Sequence, residues 1–316
     1  DSMSRIEALN AKVLIGGHGD VVEGKDTVRD LVRNDRRSAQ FMIDGVARHI
    51  RQNRSGDYVQ SNFSYPDWFL QGEDRGDYYH RLSWISRGVY AQFMGWFGGD
   101  ATDLAPVSPS TRATRIVAGF GGVDGAVASL RSAYTDNDFA WTMELASYIL
   151  AVDPMVQEAR QLKSWSMKAL AYASESANER NYLLTQAMML DGLLSMAAMA
   201  KASARQGLPA NYKAAEAIGF LHTLGARLNV EAARESSIRF KVQLSDREEV
   251  HFVEIDRGVL LTSDTNSKPV DFILQISHQS LALLCEGFVS WEELYQDGGL
   301  VLVGDKTKFS EVALLY

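Results

Sequence analysis

Apolar positions recur along most of this chain at the three-to-four-residue spacing of helices with one buried face. From Asp26, which reads as an N-cap, a single stripe runs through Val28, Leu31, Val32, Ala39, Met42, Ile43, Val46 and Ile50. It ends in the basic run Arg51-Gln52-Asn53-Arg54-Ser55-Gly56, and together these predict a long amphipathic helix. Ahead of it, helical spacing at Ile6 and Leu9 gives way to an apolar strand over 12–15, read as buried, and a glycine turn over 16–20. Residues 57–76 carry Tyr58, Phe63, Tyr65, Trp68 and Phe69 around Pro66 without a period, the mark of an ordered connection packed over what precedes it. The next helix follows Tyr78-Tyr79-His80-Arg81-Leu82-Ser83-Trp84, with Val89, Phe93, Trp96 and Phe97 on its buried face and Gly98-Gly99 as its stop. Past the break at Gly119-Phe120-Gly121-Gly122, helices are predicted over about 123–134, 138–151, 155–173 and 176–203. Short turns and alanine-rich contacts point to antiparallel helical hairpins with repeat-like packing, although no consensus returns at a fixed period.

The pattern changes at Arg205-Gln206-Gly207-Leu208-Pro209, so a domain boundary is placed at 205–212. Beyond it a helix near 212–228 precedes strands at 238–244, 250–256, 258–263 and 270–276. Alternation in Phe240/Val242/Leu244 and in Phe272/Leu274/Ile276 predicts an antiparallel sheet with one buried face. Helices at 278–286 and around 290–295, a strand at 300–303 and a closing helix from Lys306 complete an α+β region. The expected domains are 1–60, 61–205 and 206–316.

At 316 residues, 46% of them hydrophobic, the chain has ample length for its cores, and no apolar run approaches the roughly 20 residues of a bilayer span. A net charge of -8 argues against a nucleic-acid surface, which needs clustered Lys and Arg. The single Cys285, among Leu281, Leu283 and Leu284, excludes a disulfide framework or a cysteine metal cluster. Compartment is not legible: Asp1 falls in what reads as the middle of a domain, and a leader ahead of it would not be visible.

The sharpest chemical feature is Val13-Leu14-Ile15-Gly16-Gly17-His18-Gly19-Asp20. A strand delivering a histidine from a glycine turn suits the edge of a metal site, the imidazole supplying one nitrogen; the competing reading is a turn histidine with no metal. Five segments follow it in order: Asp77-Tyr78-Tyr79 after Arg75-Gly76; Val89-Tyr90 with Gly95-Trp96-Phe97-Gly98-Gly99; Gly121-Gly122-Val123-Asp124; Asp138-Phe139-Ala140-Trp141; and Ala151-Val152-Asp153-Pro154. Four more come after these: Arg180-Asn181-Tyr182-Leu183-Leu184-Thr185, Arg227-Leu228-Asn229, Asp256-Arg257-Gly258-Val259-Leu260 and Leu300-Val301-Leu302-Val303-Gly304-Asp305. Taken in this order the chain resembles the C-terminal half of the alkylsulfatases of the metallo-β-lactamase superfamily.

That resemblance implies a mixed fold: the C-terminal edge of an αββα metallo-β-lactamase domain, then an all-α helical-hairpin dimerisation domain, then an α+β sterol-carrier-like domain. It implies hydrolysis of alkyl sulfate esters with zinc, two ions in such enzymes, and a homodimer formed through the helical domain. His18 would be the last metal ligand, and Tyr79 a phenol donating to an ester oxygen. His80 stands where the family usually has glycine, and Trp84-Ile85 where it has a His-Asn pair. Two readings of that change stay open: a pocket reshaped for another ester or amide, or repacking. The superfamily's His-x-His-x-Asp-His run is absent, so the remaining ligands are expected from a missing N-terminal segment or a partner chain. Asp20 reads as an exposed turn residue, and His49, His222, His251 and His278 as solvated or core-satisfied bystanders. Phe272, Leu281, Leu284, Phe288 and Trp291 are candidates to line a groove for an apolar tail, though such residues are more often core. Met188, Met189, Met196 and Met199 suit a packing or subunit interface. The competing class is a non-catalytic subunit that dimerises and binds lipid.

Overall fold

A computed structural model describes residues 2–66, 77–196, 198–199, 214–265 and 268–316. The chain divides into two compact units, Asp1–Leu194 and Ser195–Tyr316. The domain boundary expected at 205–212, and Trp68, Phe69, Arg75 and Gly76 among the residues singled out above, lie outside the described residues.

The first unit opens with α1 (Ser2–Ala8), a two-residue antiparallel pair β1 (Val13–Leu14) and β2 (Val22–Glu23), and the 27-residue α2 (Lys25–Arg51). Glu7 ties α1 to α2, accepting from Arg33 at 3.0 Å and Arg36 at 2.6 Å. The α2 stripe is buried at Val28, Val32, Met42 and Val46, while Ala39 and Ile43, read as part of it, are exposed. Its N-cap is Gly24 rather than Asp26, because the backbone there turns at φ 100°, a conformation glycine adopts freely. The expected sandwich edge is not visible. Two-residue strands leave Val13 and Ile15 exposed, the latter 75%, so among the described residues no second layer covers the segment read as a buried strand.

After α3 (Gly56–Asn62), Phe63 and Tyr65 pack on Phe41 of α2, and the Tyr65 hydroxyl donates to Ser38 O at 3.1 Å. The described end of the predicted aromatic connection, Phe63 to Tyr65, therefore packs over the preceding helix, while its first residues form α3 and Trp68 and Phe69 lie outside the described residues. α4 (Leu82–Met94) buries Ser86 and Tyr90, not the face expected from Phe93 and Trp96, which are 55% and 74% exposed. The helix stops at Gly95, φ 69°, so Trp96 and Phe97 lie beyond its end and share no face with Val89.

Helices α5 (Pro109–Gly119), α6 (Val123–Thr135), α7 (Phe139–Val152), α8 (Gln157–Ala173) and α9 (Ala177–Leu190) then stack as hairpins. Ser108, Asp138 and Ser176 cap three of them. Their shared core joins Leu130, Leu145, Ile149 and Leu162 with Ala126, Ala146 and Ala159, whose small side chains let the helices approach closely. α9 ends at Leu190 rather than running to 203: Gly192, at φ 74°, turns the chain.

The second unit has helical residues at Met196, Ala198 and Met199 ahead of α10 (Ala217–Arg227). Its sheet of β3 (Ser237–Leu244), β4 (Val250–Asp256), β5 (Val259–Ser263), β6 (Phe272–Ile276) and β7 (Leu300–Gly304) has the order β5-β4-β3-β6-β7. The expected alternation is present, with Ile238, Phe240, Val242 and Leu244 facing the core. The sheet is mixed, not antiparallel, because β6 returns alongside β3 in parallel, pairing Phe240 with Phe272. α11 (His278–Cys285), α12 (Trp291–Gln296) and α13 (Lys306–Ala313) supply core partners, with Phe240 and Phe272 stacked at 4.9 Å and Trp291 and Phe309 edge-on around them.

Candidate functional site

The Tyr79-His80 turn has little structure of its own and is fixed from both sides. Towards α4, Asp77 Oδ1 accepts from Leu82 N at 3.0 Å. Towards α9, Ala177 N donates to Tyr78 O at 2.8 Å and Ser176 Oγ donates to Tyr79 O at 2.9 Å. Arg81 Nη1 then reaches both carboxylate oxygens of Glu179, each at 2.9 Å. Ser176 is buried, so its bond to the Tyr79 carbonyl forms away from competing water, whereas the Arg81–Glu179 pair is partly exposed.

Held this way, the Tyr79 ring lies 6.1 Å from the His18 imidazole, centroid to centroid, and meets the His80 ring nearly edge-on at 4.7 Å. The three residues singled out in the sequence, from two distant segments, thus form one exposed cluster. A phenol donor beside two imidazoles is able to bind an anionic ester oxygen, hold a proton or ligate a metal. Trp84 and Ile85 follow on the first turn of α4, 38% and 42% exposed. Sequence reading missed Ser176 and Glu179. The signal was there: Ser176-Ala177-Asn178-Glu179 has the spacing of a capping box.

Whether these residues fit zinc is a matter of donor count. A catalytic zinc takes about three protein ligands and a structural one four. Among the described residues no three His, Cys, Asp or Glu side chains converge, and Asp20 is exposed. His18 is one donor, and the described residues do not make a complete zinc site.

The other histidines serve the fold. His49 packs on Tyr58, His222 bonds Thr262 Oγ1 at 2.9 Å, His251 bonds Asp264 at 2.9 Å, and His278 bonds Ala215 O at 2.8 Å beside the Phe220 ring.

The second unit holds a cavity of about 790 Å³. Of the residues expected to line a groove, Phe288 does so, Leu284 and Trp291 border the cavity from within the core, and Phe272 and Leu281 belong to the core alone. Arg227 stands at its edge, donating to Leu284 O at 2.8 Å and Cys285 O at 2.9 Å, a cation on the C-terminal carbonyls of α11. Burial pushes the Cys285 thiol up to about 12 and the Tyr316 phenol above its ordinary value. No helix among the described residues is long and apolar enough to cross a membrane.

Comparison with known proteins follows the same division. Residues 56–192 match the family model described as alkyl sulfatase dimerisation, and residues 206–315 the one described as alkyl sulfatase C-terminal. A linear primary-alkylsulfatase of a Pseudomonas species is 29% identical over 264 residues, 82% of this chain and 50% of that protein. An (R)-specific secondary-alkylsulfatase of Pseudomonas sp. is 24% identical over 307 residues, 95% of this chain and 44% of that one. The solved structure of a stereoselective inverting sec-alkylsulfatase from Pseudomonas sp. matches with a TM-score of 0.80 over 99% of this chain and 49% of that chain, at 22% identity, which shows a common fold. The chain spans about half the length of the curated relatives it matches.

Proposed function

Because this chain belongs to the alkylsulfatase family, we propose that it is the C-terminal part of a zinc-dependent hydrolase cleaving sulfate esters of alkyl chains. The part carrying the His-x-His-x-Asp-His run comes from an N-terminal segment or a partner chain. The observation that carries the reading is the convergence of His18, Tyr79 and His80. Bound zinc supplies a water acidic enough to be hydroxide near neutral pH. Within this chain His18 offers one ligand nitrogen, the Tyr79 phenol donates to an ester oxygen, and His80 adds a second ring donor to the anionic sulfate. The helical domain joins two copies, and the cavity of the last domain, sterol-carrier-like in its expected form, takes the apolar tail.

The test uses the chain together with whatever polypeptide completes it. His18→Ala removes metal and turnover of an alkyl sulfate; Tyr79→Phe, which deletes one donor to developing negative charge, lowers kcat by about 10²-fold. A purified active sample with neither zinc nor a His-x-His-x-Asp-His segment overturns the reading. Two observations support alternatives. The 790 Å³ cavity suits a non-catalytic, dimerising lipid-binding subunit, which predicts alkyl binding without turnover and no effect of His18→Ala. Exposed Trp84 and Ile85 beside the site suit a related hydrolase acting on another ester, which predicts turnover that alkyl sulfates do not support.

A further inference from the structure

Tyr79 and His80 sit in a turn whose position is decided elsewhere. The Tyr78 and Tyr79 carbonyls find donors on α9, Ala177 N and Ser176 Oγ, nearly a hundred residues away in sequence. The next residue, Arg81, the N-cap position of α4, is held by Glu179. Glu179 is held in turn: its Oε2 accepts from Ser174 Oγ at 2.5 Å, and its backbone N–H donates to Ser176 Oγ at 3.3 Å. One buried hydroxyl therefore both caps α9 and sets the Tyr79 backbone, and one carboxylate fixes the end of the same turn. In a capping box the glutamate side chain returns to the N-cap backbone N–H. Here Ser176 N donates to Ser174 Oγ, which relays to Glu179 Oε2, and the carboxylate also takes Arg81. The Arg81 bonds add nothing to the cap of α9; they tie the end of the Tyr79-His80 turn to it.

We infer that Ser176 and Glu179 are positioning residues, which set the Tyr79 and His80 rings against His18 by anchoring their turn to the first turn of α9. The inference rests on the reading of His18, Tyr79 and His80 as the site. Its readout, ring-to-ring contact, needs no turnover, so it fails separately from that reading, which the alkyl sulfate assay tests.

The experiment is NMR on the full chain with ring-labelled histidine and tyrosine, following the His18–Tyr79 cross-peak. Ser176→Ala and Glu179→Gln are expected to lose it, while Ser176→Thr, which keeps the hydroxyl, restores it. Asp138→Ala removes a comparable cap, on α7, whose side chain accepts from Trp141 N at 3.2 Å without touching the site; it is expected to keep the cross-peak. Should Ser176→Ala not fold, Glu179→Gln alone decides. A cross-peak that survives Glu179→Gln, or that Asp138→Ala abolishes equally, overturns the inference.

Discussion

If the cavity of the second unit takes an alkyl tail, affinity must depend on chain length in a way its walls dictate. Leu283, Phe288 and Val289, all partly exposed, give it apolar surface, and about 790 Å³ is within the range of small-molecule sites. Each methylene moved from water onto such walls contributes about 0.8 kcal/mol, so affinity rises about fourfold per carbon until the cavity is full and then levels. Ala313, half-buried on α13 and part of the lining, is a place to shorten the space from within. Ala313→Trp that displaces two methylenes costs about 1.6 kcal/mol of binding, or about 15-fold in Kd, and brings the plateau to shorter chains. Because the added ring enters open volume, the overpacking cost of a filled core does not arise, and thermal unfolding should barely move. Calorimetry on a homologous series of n-alkanols and n-alkyl sulfates measures both slopes, and the sulfate-to-alkanol ratio reports what Arg227, a lining cation, contributes. Affinity independent of chain length, or unchanged in a folded Ala313→Trp variant, refutes the reasoning.

Gly45→Ala pits two effects against each other: alanine favours a helix by about 1 kcal/mol, but a Cβ there would come 2.4 Å from Phe63 Cε2. Phe63 is held in the cluster of Met42, Val46, Val59 and Tyr90 and has little room to withdraw, so the variant should lose about 1–3 kcal/mol in urea unfolding; a gain contradicts the packing. Tyr90→Phe removes the donor at 3.1 Å to Gly98 O, in a residue 2% exposed, and should cost about 1–3 kcal/mol by the same measurement. The Cys285 thiol, raised by burial from 9.0 to about 12, should resist thiol reagents at mild alkaline pH in the folded chain. Between those values the unfolded chain has lost the proton that the folded chain keeps, so stability falls with rising pH, by about 1.4 kcal/mol per pH unit. Tyr316 acts in the same direction at higher pH, and Cys285→Ala should flatten the first part of the decline.

What the sequence makes legible follows the range of the interaction responsible. Periodicity is local, and it identifies α2, α6, α7 and α8 and every strand of the second unit to within a residue or two. It is least informative at ends and in long-range pairing. Gly24 supplies the start of α2 through backbone geometry that no hydrophobic stripe records, and Gly95 stops α4 before the aromatics read as its buried face. The parallel return of β6 onto β3 leaves the strand alternation unchanged, since inward residues alternate whichever way a neighbour runs, so the sheet was read as antiparallel.

The site divides along the same line. Residue types announce chemistry: a glycine-flanked imidazole and a Tyr-His pair stand out in the sequence, and they prove to be neighbours. Their geometry depends on α9, where Ser-x-x-Glu spacing reads as an ordinary helix start. Glu179 meets the N-cap N–H through the Ser174 hydroxyl, which accepts from Ser176 N and donates to Oε2, while the same carboxylate takes Arg81. The same four letters thus serve as a cap and as a tether, and the tether shows only once Arg81 is placed. Residues that hold a site in place carry no chemical signature of their own. They become visible where a side chain holds a distant partner beside its local one, as Glu179 holds Arg81 beside Ser174.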